Sequence, residues 1–179
     1  MSSMANFFIT FVAAVWVCTT EAAKPNLTNI QFYMHDVVGG PNATAVQVAS
    51  RLTNYTGSDP IAAMFGSIYV MDNPLTATPE PNSTLVGRAQ GMYVMSSQHN
   101  EFSLHMTLTY VLAADGPYNG STFSVVGRNP VMNDVREMPV VGGTGMFRLA
   151  RGYCFAKTHS THQMDAIIGY NVTLLHEQS

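Results

Sequence analysis

Charged residues are scarce in this sequence: Asp, Glu, Lys and Arg supply 11% of 179 residues, and the formal net charge is −3. The eight Lys and Arg form no cluster. A basic face for nucleic acid and a polybasic segment for a membrane surface are therefore not expected. No stretch repeats its apolar residues at the helical period, so amphipathic helices are not expected either. Six histidines are scattered, and the closest pair, His159 and His162, has no third ligand nearby. Metal sites need a convergent set, so no metal and no other cofactor is expected. No G-x-S-x-G elbow is present. Gly142-Gly143-Thr144-Gly145 opens no helix, so it reads as a hairpin turn rather than a phosphate cradle.

Cysteine is nearly absent, with Cys18 and Cys154 alone. Cys18 ends the run Phe7–Cys18, whose 12 residues fall short of the roughly 20 that span a bilayer. Small residues follow, so residues 1–22 read as a secretory signal peptide cut after Ala22. Residues 23–179 then form one domain. Cys154 becomes the sole cysteine there, which excludes an internal disulfide. N-x-S/T sequons at Asn26, Asn42, Asn54, Asn82, Asn119 and Asn171 agree with export. Asn171 lies in a strand-like run and is expected to be used least.

What the chain does have is alternation. Phe102, Leu104, Met106, Leu108, Tyr110 and Leu112 alternate with polar residues, the pattern of a sheet with two different faces. Further strands are expected at Asn29–Val37, Met64–Asp72, Val86–Ser96, Thr122–Val126, Arg136–Val141, Met146–Thr158 and Asp165–His176. Turns are expected at Gly39-Gly40-Pro41, Asn73-Pro74, Asp115-Gly116-Pro117, Asn119-Gly120, Asn129-Pro130 and Gly142–Gly145. Eight strands without a helix make a closed antiparallel barrel or a sandwich. Gly87, Ala89 and Gly91 share a phase with Tyr93 and Met95. Their smallness either admits a bulky neighbour or lines a cavity.

The candidates for chemistry are Asp36, Tyr93, Asn129, Asp134, Arg136 and Arg151. Ile30, Phe32 and Met34 share a strand face with Asp36. Asp36 is then either a strand end meeting solvent, capping the turn at Gly39-Gly40-Pro41, or an acid on an apolar wall. An acid on an apolar wall has a raised pKa and exchanges protons near neutrality. A nearby arginine would counter that shift and could hold a phenol or carbonyl oxygen.

A family resemblance covers about Asn26 to His176. It rests on Phe32-Tyr33-Met34-His35-Asp36, Val86-Gly87-Arg88-Ala89-Gln90-Gly91-Met92-Tyr93, Tyr118-Asn119-Gly120-Ser121-Thr122 and Gly127-Arg128-Asn129-Pro130. It continues through Val135-Arg136-Glu137-Met138-Pro139-Val140-Val141-Gly142-Gly143-Thr144-Gly145, Phe147-Arg148-Leu149-Ala150-Arg151-Gly152-Tyr153 and Tyr170-Asn171-Val172. In order and spacing these segments resemble plant dirigent proteins. The resemblance implies an all-β, eight-stranded antiparallel β-barrel with a central ligand cavity. It also implies secretion to the apoplast or cell wall, and a homo-oligomer, usually a trimer though a dimer is the alternative. It maps the family's cavity acid onto Asp36, its tyrosine onto Tyr93 and its arginine onto Arg136. Thr158, Asn129 and Met95 fall at further substrate-binding positions.

Dirigent proteins generally hold phenoxy radicals made by an external laccase or peroxidase and steer their coupling, as in lignan biosynthesis. Some relatives instead close a ring through a quinone methide, as in pterocarpan formation. Pinoresinol-forming members carry Asp where this chain has Asn129, often a second tyrosine at Met95, and a cysteine pair absent here. Asn cannot act as an acid or base near neutral pH. The resemblance thus implies a stereoselective guide for phenylpropanoid radicals, with a ring-closing lyase and a non-catalytic phenolic-binding wall glycoprotein as the other readings.

Overall fold

The computed structural model describes residues 25–51, 55–118 and 120–177. The expected signal peptide and the sequons at Asn54 and Asn119 lie outside the described residues. Nine strands are present among the described residues: β1 (Asn26–Asp36), β2 (Ala45–Ala49), β3 (Ile68–Thr76), β4 (Leu85–Met95), β5 (Ser103–Leu112), β6 (Thr122–Pro130), β7 (Arg136–Thr144), β8 (Arg151–His162) and β9 (Asp165–His176). They hydrogen-bond in the order β1-β9-β8-β7-β6-β5-β4-β3-β2, and β1 also pairs with β3. That last pairing closes eight antiparallel strands into a barrel, as the resemblance implied. Closure removes most of the sheet's free edge.

Alternation explains which way the side chains face. Leu104, Met106, Leu108, Tyr110 and Leu112 of β5 are all buried. On β9, Ile168, Tyr170, Val172 and Leu174 are buried in the same way, and Tyr170 meets Tyr110 at 5.6 Å between ring centroids. One end of the barrel is filled with aromatics. Tyr110 stacks on Phe123 at 4.8 Å, and Phe32 stacks on Tyr170 at 5.4 Å between ring centroids. A 3-10 turn, Gly145–Phe147, then brings Phe147 against Phe123 and His176. The opposite end, where β1 finishes and β7 begins, holds the polar interior residues.

The closing seam is unusual. β1 meets β3 only at Tyr33 with Thr76 and Met34 with Leu75. Beyond that point β2 takes over the same edge of β3, pairing with Ile68–Met71. Between the two, the Asp72 amide bonds Thr44 of the β1–β2 connection at 2.9 Å. Pro74 sits in this gap. A residue without an N–H is tolerated where a ladder is interrupted.

Several expectations need correction. Asn73-Pro74 is inside β3 and Asn129-Pro130 ends β6, so neither is a turn. β7 runs on through the glycine-rich stretch to Thr144, and β8 begins at Arg151 rather than Met146. The strand placed at Met64 is preceded by a short helix, α1 (Pro60–Met64), capped by the Asp59 carboxylate on the amides of Ile61 and Ala62. Five residues are too few to show a period, although Asp-Pro is a fair start signal. β2 was missed because its Val46 and Val48 face outward. For Gly87 and Gly91 on the small face of β4, the close neighbour is the backbone of the adjacent strand rather than a bulky side chain or a cavity. A Cβ at Gly87 would lie 2.4 Å from the Val111 carbonyl, and one at Gly91 would lie 2.2 Å from that of Thr107. These glycines let β5 approach closely, and Ala89 faces Asn73 and Tyr110 across the sheet.

Candidate functional site

Asp36 ends β1 at the gap in the seam, and its side chain turns inward. Its Oδ1 accepts a hydrogen bond from Asn73 Nδ2 at 3.0 Å. The Tyr93 hydroxyl of β4 also donates toward this carboxyl. Burial pushes the carboxyl above the usual carboxylate range, the bonds from Asn73 and Tyr93 pull it partly back, and the charge of Asp165 adds to the rise. Desolvation wins because two neutral donors do not replace a full hydration shell. Asp36 is not sealed. A crevice of about 390 Å³ reaches it from outside, between His35, Pro74, Pro81, His162 and Asp165.

Tyr93 is buried and stacks on Tyr69 of β3 at 4.9 Å. Both hydroxyls are pushed upward, by burial first and then by the Asp36 charge. They remain protonated donors at any ordinary pH.

Arg136 opens β7 and is 3% exposed. Its Nε donates to Asn129 Oδ1 at 3.1 Å, and its Nη1 donates to Thr158 Oγ1 at 2.9 Å and to the Asn133 carbonyl at 3.4 Å. Every one of these acceptors is neutral. Among the described residues no carboxylate forms an ion pair with Arg136. Burial pulls the guanidinium below its ordinary value. A buried cation without an anion is costly, which marks a place where a ligand oxygen would be welcome.

Tyr170 of β9 connects the two poles. Both the Arg136 charge and the Asp36 charge act on its hydroxyl, which burial pushes upward. The register explains how. Arg136 pairs with Ala156, and Ala156 pairs with Tyr170. The small Ala156 between two large side chains leaves the guanidinium facing the phenol. Met95 and Asn129 share another row, separated by Leu104.

The structure therefore gathers Asp36, Tyr93, Arg136, Asn129, Thr158 and Met95 at one end of the barrel. Asp134 and Arg151 face solvent and do not belong to it. Tyr69, Asn73 and Tyr170 were missed. Tyr69 and Asn73 share a face with the buried Met71 and Leu75, but the Asn-Pro pair masked that phase. Tyr170 shares a face with Ile168 and Val172, and nothing marked it as more than core. A cleft of about 760 Å³ opens over Tyr33, Lys157, Gly169 and Asn171, and Thr158 and Tyr170 also line it. It holds none of Asp36, Tyr93 or Arg136, so chemistry is assigned to the interior. Among the described residues no His, Cys, Asp or Glu group could hold a metal. Cys154 is buried, its thiol pushed up to about 12 by burial, and is unsuited to nucleophilic work. The sequon residues Asn42, Asn82 and Asn171 are exposed, and Asn26 is half-buried. Asn171 lies within β9 on its outward face.

A family model described as dirigent-like protein matches residues 27–175. The chain is 48% identical over 158 residues to Dirigent protein 23 of Arabidopsis thaliana, covering 87% of this chain and 81% of that one. It is 46% identical over 156 residues to Pterocarpan synthase 1 of Glycine max, covering 86% and 81%. A solved structure of the pterocarpan synthase dirigent protein GePTS1 superposes with a TM-score of 0.78 at 42% identity, over 89% of this chain and 90% of that one.

Proposed function

The chain belongs to the dirigent family, and from that premise we propose that its barrel binds a phenol and closes a ring on it through a quinone methide. One observation carries this reading: a half-buried carboxyl raised above its ordinary range faces the same interior as a guanidinium with no anionic partner among the described residues. Orienting a radical needs only shape. A carboxyl that keeps its proton more firmly than usual is suited to expelling a hydroxyl. Asp36 gives its proton to a benzylic hydroxyl. The C–O bond breaks, its electron pair leaves with water, and the conjugated phenol releases its proton to solvent, leaving the quinone methide. Arg136 and Tyr170 hold the oxygen on which charge collects. A second phenol of the same molecule attacks the methide carbon, and its proton restores Asp36. The first phenol oxygen then regains a proton. The net change is loss of one water, with no oxidant.

A second reading is favoured by the stacked Tyr69–Tyr93 wall. A flat phenoxy radical from an external laccase or peroxidase would lie on it, with Asp36 relaying a proton during coupling. In either case the protein works after export, in the apoplast or cell wall.

The test incubates the protein with a 2′-hydroxyisoflavanol and, separately, with coniferyl alcohol, each with and without a one-electron oxidant. Products are read by chiral chromatography. Oxidant-free ring closure of the isoflavanol supports the lyase. Enantiomeric excess from coniferyl alcohol only with oxidant supports the guide. Absent or racemic product throughout leaves a phenolic binder and overturns both.

A further inference from the structure

Asn73 occupies the gap in the seam, where β1 has stopped pairing with β3 and β2 has begun. It is fully buried. The proton role proposed for Asp36 does not by itself require it. Its amide is nonetheless engaged at every atom. Nδ2 donates to Asp36 Oδ1 at 3.0 Å and contacts Met71 Sδ at 3.8 Å. Oδ1 accepts from Thr44 Oγ1 at 2.6 Å.

Thr44 gives this contact a direction. Its oxygen accepts from the Val37 amide at 3.1 Å, so its own proton is free to be donated. The His35 carbonyl lies at 3.3 Å and the Asn73 oxygen at 2.6 Å, so the shorter contact takes the proton. A chain of donors then runs from the Val37 N–H through the Thr44 hydroxyl and the Asn73 amide to Asp36. Flipping the amide would set its oxygen against the carboxylate and break both side-chain bonds.

We propose that Asn73, locked in one orientation by Thr44, is a positioning residue that fixes the Asp36 carboxyl for proton exchange with the ligand. Asn73 holds Oδ1, and the Tyr93 hydroxyl donates to the same carboxyl. The assignment of a ligand rests on the ring-closing reading, whereas the positioning does not. The titratable groups around Asp36 are Tyr69 of β3, Tyr93 of β4, and Asp165 and Tyr170 of β9, with His35 of β1 and His162 of β8 lining the crevice that reaches it. The tyrosines stay neutral across an ordinary titration. Asp165 accepts from the Val38 and Gly39 amides. The carbon followed is that of Asp36 itself, so its midpoint is read directly.

The experiment follows the Asp36 carboxyl carbon by 13C NMR across pH in the full chain, assigned by its loss in Asp36→Asn. Asn73→Leu removes the donor while keeping the volume, and the midpoint should move up. Thr44→Val frees the amide and should move it the same way, whereas Thr44→Ser should leave it in place. Thr44 also completes the Asn42 sequon, so Asn42→Gln serves as a control and should not shift the midpoint. If Asn73→Leu does not fold, the contrast between Thr44→Val and Thr44→Ser decides. An unmoved midpoint in Thr44→Val, or an equal shift in Asn42→Gln, overturns the proposal. A moved midpoint with unchanged ring closure supports the positioning and removes Asp36 as the acid of ring closure instead.

Discussion

At the scale of the residue, the site depends on one acid placed where water is scarce. Its folded-state value is raised, so the folded protein holds the Asp36 proton more firmly than the unfolded chain does. The resulting stability penalty is absent below the ordinary carboxylate value of about 4 and grows as pH rises through the folded value. Asp36→Asn is therefore expected to melt a few degrees above the parent at neutral pH and level with it in acid, checked by thermal melts across pH. The same substitution should abolish ring closure. Arg136→Gln should cost about 10²-fold in kcat/KM, typical for loss of one donor at a developing oxyanion. The alternation through Ile30, Phe32 and Met34 gave two options for Asp36, and the structure takes the inward one. Tyr93 and Arg136 were legible as candidates, but their place beside Asp36 came from the family resemblance, since no spacing rule brings β4 and β7 together. Asn73 was illegible for a physical reason: Asn-Pro is a strong turn signal, and only a break in the neighbouring ladder admits it to a strand.

At the scale of the element, the closing seam is the vulnerable part. Two residue pairs join β1 to β3. A side-chain bond from His35 Nε2 to Thr76 Oγ1 at 2.7 Å supplements them, and Thr76 donates onward to the Thr78 carbonyl. Burial depresses the His35 value. The stability that neutral His35 supports is thus present above about 6.5 and lost as pH falls below it, because the unfolded chain takes up the proton first. Asp36 works in the opposite direction, so the comparison belongs in the Asp36→Asn background. There, His35→Gln should flatten the loss of melting temperature between pH 7.5 and 5. β4 offers a second test. Gly91 has φ +145°, and an added Cβ would meet the Thr107 carbonyl. Gly91→Ala should cost at least about 2 kcal/mol in denaturant unfolding. Strands with one wet and one dry face were legible, β9 to its end residues. β2 was not, because an outward edge strand has no apolar phase to read.

At the scale of the molecule, the barrel divides its labour between ends. One is packed with Phe32, Tyr110, Phe123 and Phe147, and the other keeps the polar groups. Fold class was legible because turns and alternation recur along the chain. The division between ends was not, since alternation says which face is inside but not how full it is. The outer wall carries an apolar strip, Val46, Val70 and Met92, in register across β2, β3 and β4. β2 also ends the sheet, leaving an open edge beside that strip. Self-association through this face is expected, giving a trimer mass in size-exclusion chromatography with light scattering. Val70→Lys with Met92→Lys should return the monomer.

The pH dependence of oxidant-free ring closure of a 2′-hydroxyisoflavanol tests the central claim most directly. A rate that holds at low pH and falls through a midpoint clearly above the ordinary carboxylate value of about 4 is predicted, because the working form of Asp36 is the protonated one. A midpoint at or below that value, or no conversion without oxidant at any pH, would contradict it.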